Sequence, residues 1–280
     1  MKRDLVINRF HANIVEFILR RITMSASHHE TIAKWLAAAR SAVAFTGAGI
    51  STESGIPDFR SPGGIWTRFR MIMYQEFMES ADARLEYWRQ KAAGHAEFGG
   101  ARPNVGHEAL ARWEEQGRLV GVITQNIDEL HQRAGSRRVL ELHGTAMAVE
   151  CQDCHARFDI QPLLEEFRRT DRVPPCPTCG GERLKHATIS FGQALPPVVM
   201  QEAFQWSRQA DLLFAIGSSL VVEPAASVPR IAKQHGARLV IINREPTPLD
   251  DAADLVLHES IGTALESIDR SLCAMRDAEG

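Results

Sequence analysis

The chain lacks any apolar run approaching the roughly 18 residues that a membrane-spanning helix requires, so no segment of it reads as a membrane anchor. It is short of cysteine. Five cysteines in 280 residues are too few to staple a chain of this length, which excludes a disulfide scaffold and fits a reducing, cytoplasmic setting. It lacks a charge bias: 32 Lys and Arg against 35 Asp and Glu leave −3, so the chain as a whole exerts no pull toward nucleic acid. Internal repeats and low-complexity tracts are absent, which excludes a solenoid. What remains is an ordinary globular balance, 44% apolar and 24% charged, at a length that suits one domain carrying an insert.

The N-terminus is the one unusual stretch. Residues 1–23 carry five Lys and Arg against two acids, and Val6, Phe10, Ile14 and Phe17 recur at helical spacing. It reads as an extra terminal helix or as residues upstream of a start at Met24. An organellar presequence, mitochondrial for instance, is the alternative. The long apolar centre of a secretory signal is missing.

Short strand-type runs recur at 42–45, 119–123, 139–142, 212–216, 239–242 and 255–257, with helix-like segments at 30–39, 106–116, 224–235 and 262–275. Continuous apolar runs alternating with helices predict an α/β fold, a doubly wound parallel sheet covered on both faces. Ligands bind such sheets at the C-terminal ends of the strands. Polar residues stand at those ends: Gly47, Asn126, His143, Gly217-Ser218-Ser219 and Asn243. Two regions interrupt the alternation, a helical insert at about 67–105 and a segment at 148–189 that holds four of the five cysteines. The expected division is an N-terminal extension at 1–28, a sheet domain built from 29–147 and 190–275, and a small module at 148–189.

The cysteines form the strongest local signal. Cys151 and Cys154, then Cys176 and Cys179 after 21 residues, are two C-x-x-C knuckles whose four thiolates suit one tetrahedral zinc with no open position, a structural site. A redox pair would leave the other two unexplained. Cys273, alone in a C-terminal helical segment, reads as core. The run Gly47-Ala48-Gly49-Ile50-Ser51 follows a strand and precedes a helix start, so it could bring backbone close to a pyrophosphate. Thr52 stands where the third glycine of a dinucleotide fingerprint belongs, and a plain strand-to-helix turn explains the run equally well. The loop containing Asp58, Phe59 and Arg60 is either a surface loop with an aromatic anchor or one that closes on a ligand. His143 ends a strand facing Asn126 and Asp128, and an imidazole suits a general base at neutral pH. Asn126 and Asp128 could alternatively cap the helix that follows.

Taken in order, Gly47-Ala48-Gly49-Ile50-Ser51, Gly55-Ile56-Pro57-Asp58-Phe59-Arg60, Thr124-Gln125-Asn126-Ile127-Asp128, Leu142-His143-Gly144, the four cysteines, Phe191-Gly192-Gln193-Ala194-Leu195-Pro196 and Gly217-Ser218-Ser219-Leu220 resemble the motifs of the sirtuins, the NAD-dependent protein deacylases. The resemblance spans roughly residues 30–265. It implies a Rossmann-like domain with a zinc module and a helical insert, and NAD lying across the strand ends as co-substrate. Gly47, Ala48, Gly49 and Arg60 would face its phosphates and nicotinamide ribose, within a loop that includes Asp58 and Phe59. Asn126, Ile127 and Asp128 would hold the carboxamide beside Gln125. Gly217, Ser218, Ser219 and Asn243 would sit at the adenosine half. Catalysis would rest on His143 and Asn126. An acyl-lysine of a protein substrate would enter between module and sheet domain, pairing as a strand near Gly192 and Val222, its stem in a tunnel of Phe59, His143, Ile189, Phe191 and Val222.

Two departures stand out. Gln193 occupies a position where many relatives carry Glu. Relatives that remove malonyl or succinyl groups carry a Tyr and an Arg three apart in the insert, where this chain aligns Trp88 and Lys91. That implies acetyl or neutral acyl groups. An ADP-ribosyltransferase or NAD hydrolase would use the same pocket. A non-enzymatic binding module would have no need of a base. The segment around Arg183, Lys185 and His186 is too small a basic patch for direct nucleic-acid binding. Oligomeric state is not legible.

Overall fold

A computed structural model of the protein describes residues 27–60 and 63–279. The reading of residues 1–23 lies outside them. Nine strands occur in this range: β1 Ala42–Thr46, β2 Leu119–Thr124, β3 Val139–Glu141, β4 Gly144–Cys151, β5 Arg157–Asp159, β6 Leu184–Thr188, β7 Leu212–Ile216, β8 Arg238–Ile242 and β9 Leu255–Leu257. Six form one sheet in the order β3-β2-β1-β7-β8-β9, all parallel. These are the six apolar runs that the sequence singles out, and the fold is the doubly wound, Rossmann-like α/β class.

The strands are apolar throughout because both faces are covered. Along β1, Ala42 and Ala44 join one core with Leu36, Trp113, Ile261 and Leu265. Val43 and Phe45 join the other with Met200, Trp206, Val228 and Ala232. Alternation with period two sends successive side chains to opposite layers. The first layer holds the helices at 27–38, Val105–Glu115 and Ile261–Glu279. The second holds Pro197–Gln209 and Ser227–Gln234.

Asn104 caps the helix Val105–Glu115 by accepting from the Gly106 and His107 amides. Asp269 clamps that helix to the C-terminal one, accepting from Trp113 Nε1 at 2.8 Å and Arg112 Nη2 at 2.7 Å. On the C-terminal helix Ala264, Leu265, Ile268 and Leu272 face inward. Cys273 is exposed, which corrects its reading as core: it lies one position past Leu272, about 100° further round the helix.

The interrupting regions meet each other. The insert folds as short helices Ile65–Arg68 and Tyr74–Glu79 and a long one, Ala81–Gly100. The cysteine-bearing segment forms a three-stranded sheet, β5-β4-β6, antiparallel, and a helix, Ile160–Thr170, capped by Asp159. Phe77, Tyr87 and Trp88 of the insert share one core with Val149, Leu164, Phe167 and Leu184 of that segment. Trp88 Nε1 donates to the Leu184 carbonyl at 2.8 Å.

From β1 the chain runs outward through β2 to β3 on one side, then returns to build β7, β8 and β9 on the other. The crevice where strand order reverses therefore lies between the C-terminal ends of β1 and β7.

Candidate active site

At that crevice the loop after β1 and the loop after β7 touch. The Gly47 amide donates to the Ile216 carbonyl at 3.0 Å, and the Gly49 amide to the Gly217 carbonyl at 2.8 Å. A Cβ on Gly47 would stand 2.7 Å from the Gly217 oxygen. The two loops approach this closely because Gly47, Gly49 and Gly217 carry no side chain there. The chain then turns through a 3-10 helix, Ala48–Ser54, whose start no side chain caps. Thr52, in place of the third glycine, donates its hydroxyl to the Gly49 carbonyl at 2.8 Å, so it tightens the turn.

The end of β2 delivers its polar run to the same place. Gln125 reaches across to Ser218, donating from Nε2 to Oγ at 2.8 Å. Asn126 and Asp128 are buried and both meet Ser51. Asn126 Nδ2 donates to Ser51 Oγ at 3.0 Å, and that hydroxyl donates to Asp128 Oδ2 at 2.7 Å. Asp128 also accepts from the Leu130 amide at 2.9 Å, so it organises the following turn as well. Burial holds its carboxyl above the ordinary range, against the hydrogen bonds that favour its charge.

Nothing local in the sequence marks Ser51 as a site residue, nor the two histidines behind it. The Asn104 amide donates to His107 Nδ1 at 3.3 Å, which leaves the proton on Nε2, facing Ser51 Oγ at 3.5 Å. The His131 ring lies 4.9 Å from that of His107, and its Nε2 meets the Thr46 hydroxyl at 2.9 Å. Thr46 donates onward to Thr124 at 2.8 Å. Burial lowers His107 to about 4 and His131 well below its ordinary value, so both rings are neutral. His107 sits on a helix that only tertiary folding brings under the strand ends, whereas His131 lies in the turn that directly follows the polar run after β2.

His143 follows β3. Its Nδ1 lies 2.9 Å from the Gln125 carbonyl oxygen. A carbonyl only accepts, so Nδ1 carries the proton and Nε2 is left with its lone pair. Burial lowers the His143 pKa, opposed by that hydrogen bond, and the ring is a neutral base at pH 7. Gly144 then begins β4 with φ 70°; a Cβ there would stand 2.0 Å from the Ala187 carbonyl oxygen. The Ile189 amide donates to the His143 carbonyl at 2.9 Å, which sets Ile189 beside the histidine. Phe191 and Gly192 continue that segment on the surface.

The remaining candidates are more dispersed. Asp58 Oδ1 accepts from the Arg60 amide at 2.9 Å, Phe59 is half-buried and Arg60 exposed. Ile127, half-buried, accepts at its carbonyl from the Ala146 amide. Asn243, after β8, donates from Nδ2 to the Glu245 carbonyl at 2.6 Å. Ser219 and Val222 are half-buried.

The four thiols of Cys151, Cys154, Cys176 and Cys179 lie within 4.8 Å of one another. Cys151 to Cys179 and Cys154 to Cys176 are each 3.7 Å apart, too long for a disulfide. Four sulfurs about 2.3 Å from one zinc stand about 3.8 Å apart in a tetrahedron. The donor set fits structural zinc and leaves no position for a substrate.

The Sir2 family model matches residues 47–224. The chain belongs to the Sir2 family. This sirtuin is similar to the NAD-dependent protein deacetylase of Rhodopseudomonas palustris, 50% identical over 238 residues that cover 84% of this chain and 94% of that one. It is also similar to a solved complex described as Sir2 with p53 peptide and NAD+, with TM-score 0.77, 35% identity, and coverage of 89% and 98% of the two chains. A Sir2 structure with deacetylated p53 peptide and 3′-O-acetyl ADP ribose matches at TM-score 0.80 and 37% identity, covering 86% and 96%.

Proposed function

We propose that His143 is the base of an acyl transfer from lysine to ADP-ribose, with its free Nε2 as the atom that takes the proton. The protein is an NAD-dependent protein deacetylase: it transfers the acyl group of a modified lysine to ADP-ribose and releases nicotinamide and O-acyl-ADP-ribose. The observation that carries the assignment to His143 is its 2.9 Å contact to the Gln125 carbonyl, which fixes the tautomer that leaves Nε2 basic.

NAD, when bound, supplies a good leaving group and the ribose hydroxyl that accepts the acyl group. The chain's residues hold and align the partners, which lowers the barrier by positioning. In this reading Gly47, Ala48 and Gly49 and the loop of Asp58, Phe59 and Arg60 bind the phosphate and ribose side. Among the described residues of the glycine turn, the Gly47 and Gly49 amides are spent on the β7 side, so Ala48 N–H is the donor assigned to phosphate. Asn126, Ile127 and Asp128 hold the nicotinamide amide, with Ser51 fixing both polar side chains, and Asn126 is the second catalytic residue. Gln125 lies beside them, and Gly217, Ser218, Ser219 and Asn243 take the adenosine half. Ile189, Phe191, Gly192 and Val222 receive the acyl-lysine, and their apolar surface excludes water from the reacting centre.

The same reading assigns NAD binding to 29–147 with 190–275, and structural support to the zinc module, 148–189. It places the protein in the cytoplasm, acting on proteins rather than nucleic acid. Among the described residues no helix is long and apolar enough to cross a membrane.

Mass spectrometry of a reaction with NAD and an acetyl-lysine peptide tests it. O-acetyl-ADP-ribose should form only when the peptide is acetylated. NAD consumption that ignores acylation would put an ADP-ribosyltransferase or NAD hydrolase in its place.

A further inference from the structure

The polar run after β2 closes on itself. It begins at Thr124 and reaches His131 in the short helix Leu130–Arg133, and one hydroxyl bridges the two. Thr46, the register partner of Thr124 on β1, donates to Thr124 Oγ1 at 2.8 Å and meets His131 Nε2 at 2.9 Å. A hydroxyl carries one proton. Thr46 spends its proton on Thr124, so the histidine donates to Thr46 and holds its own proton on Nε2. Nδ1 keeps a lone pair and finds no partner among the described residues. Burial, with His107 alongside, keeps the ring neutral.

This chain of donors ends on the backbone of the site. The Gln125 amide makes the last bond to β1, donating to the Thr46 carbonyl at 2.9 Å. The next amide, that of Asn126, donates instead to Thr124 Oγ1 at 3.0 Å. Thr46, Thr124, Asn126 and His131 are all buried. Asn126 is thus held twice: its side chain by Ser51, and its backbone by Thr124, which Thr46 and His131 hold in turn. In a buried chain of this kind each bond strengthens the next, and a missing member leaves another group unpaired.

We propose that His131 is a positioning residue of the deacetylation: it closes the base of the loop 124–131 and fixes the Asn126 backbone, so that the nicotinamide pocket is formed before NAD arrives. This rests on the deacetylase reading and on Asn126, Ile127 and Asp128 as that pocket. His131 moves no proton. Its influence falls on NAD and on released nicotinamide, and acyl-lysine binding does not depend on it.

Steady-state kinetics of His131→Gln, His131→Leu and Thr46→Val, with NAD, an acetyl-lysine peptide and added nicotinamide, test this. Gln keeps an N–H near the place of Nε2, whereas Leu keeps bulk without the donor. In His131→Leu the KM for NAD and the inhibition constant of nicotinamide should each rise about tenfold, the loss of one buried partner, with the peptide KM within about twofold of wild type. His131→Gln should bring both constants back to within about threefold of wild type, with the acid limb of the pH profile in place. Combining His131→Leu with Thr46→Val should cost no more than either alone, because both residues act through one chain. Unchanged NAD and nicotinamide constants in His131→Leu would overturn the inference, as would additive losses, a peptide KM that rises in step, or a displaced acid limb in His131→Gln. If His131→Leu does not fold, the same constants measured on Thr46→Val decide. No acetyl-dependent turnover by the wild type would overturn the deacetylase reading, and the inference with it.

Discussion

His143 Nδ1 and the Gln125 carbonyl oxygen stand 2.9 Å apart, so the strand end that carries the amide-rich run also sets the tautomer of the histidine on the neighbouring strand. The pairing of β2 with β3 is what puts the two loops side by side. Replacing His143 with Ala removes the partner of that carbonyl and the proposed base. Deacetylation should fall by at least about 10² to 10⁴, with the melting temperature little changed. Full turnover in a folded His143→Ala protein would remove His143 from its role.

The pH profile follows from the direction of the His143 shift. Its folded pKa lies below the ordinary 6.5, and the neutral form is active. The rate should therefore hold its plateau through pH 7 and decline only as pH falls through a value below 6.5. An acid limb centred above 7 would contradict this.

Ser51 is the hinge of the buried polar cluster. Ser51→Ala removes the donor to Asp128 and the acceptor of Asn126, leaving two buried groups short of a partner at about 1 to 3 kcal/mol each. The expected result is weaker NAD binding together with lower kcat, measured by calorimetry and steady-state kinetics. Unchanged affinity and rate would mean that Asn126 and Asp128 hold their positions without it.

Stability should carry a signature of His107. Its folded pKa, about 4, is below the unfolded value near 6.5. Its contribution is therefore fully present above pH 6.5 and is lost as pH falls from there toward 4. His107→Gln lacks this dependence, so the gap in melting temperature between wild type and variant should narrow as pH drops from 7 to 5. A gap that stays constant would refute the assignment of a buried, neutral His107.

Zinc removal should act through packing rather than chemistry. Cys151 and Cys176 are buried in the core that the module shares with the insert. Chelation, or Cys176→Ser, should expose Trp88 and Phe167 and abolish activity together, because structural zinc contributes folding energy directly. Tryptophan fluorescence and metal analysis read this out. Full activity in verified metal-free protein would contradict it.

The acyl preference is testable in the same way. Trp88 is fully buried, donating to Leu184. Lys91 Nζ sits 5.3 Å from the centre of the Tyr87 ring, and Arg89 is paired with Asp171. Acetyl peptide should be turned over in preference to succinyl peptide. The reverse would show that one of these cations reaches the acyl group.

Much of this architecture is legible in the order of residues. The six strands of the main sheet are short continuous apolar runs, and a run buried on both faces needs no partner to be recognised. The cysteine spacing announces its metal because two knuckles suffice for four ligands. Two helices escaped. Pro197–Gln209 opens on Pro196-Pro197, which reads as a loop yet suits a helix start. Ile160–Thr170 was hidden inside the cysteine segment. Cys273 stands outside the core because burial on a helix turns on about 100° of rotation.

By itself the sequence determined the class of sheet, the four cysteines that fit zinc and the strand ends that carry His143, Asn126 and Asp128, since local hydrophobic period and side-chain chemistry decide these. Only the tertiary structure decided that Gly47 and Gly217 meet, that Ser51 joins Asn126 to Asp128 with His107 behind, and that insert and zinc module share a core. Those contacts join residues tens to more than a hundred positions apart, and a pattern along one strand or helix carries no record of what folding will bring against it.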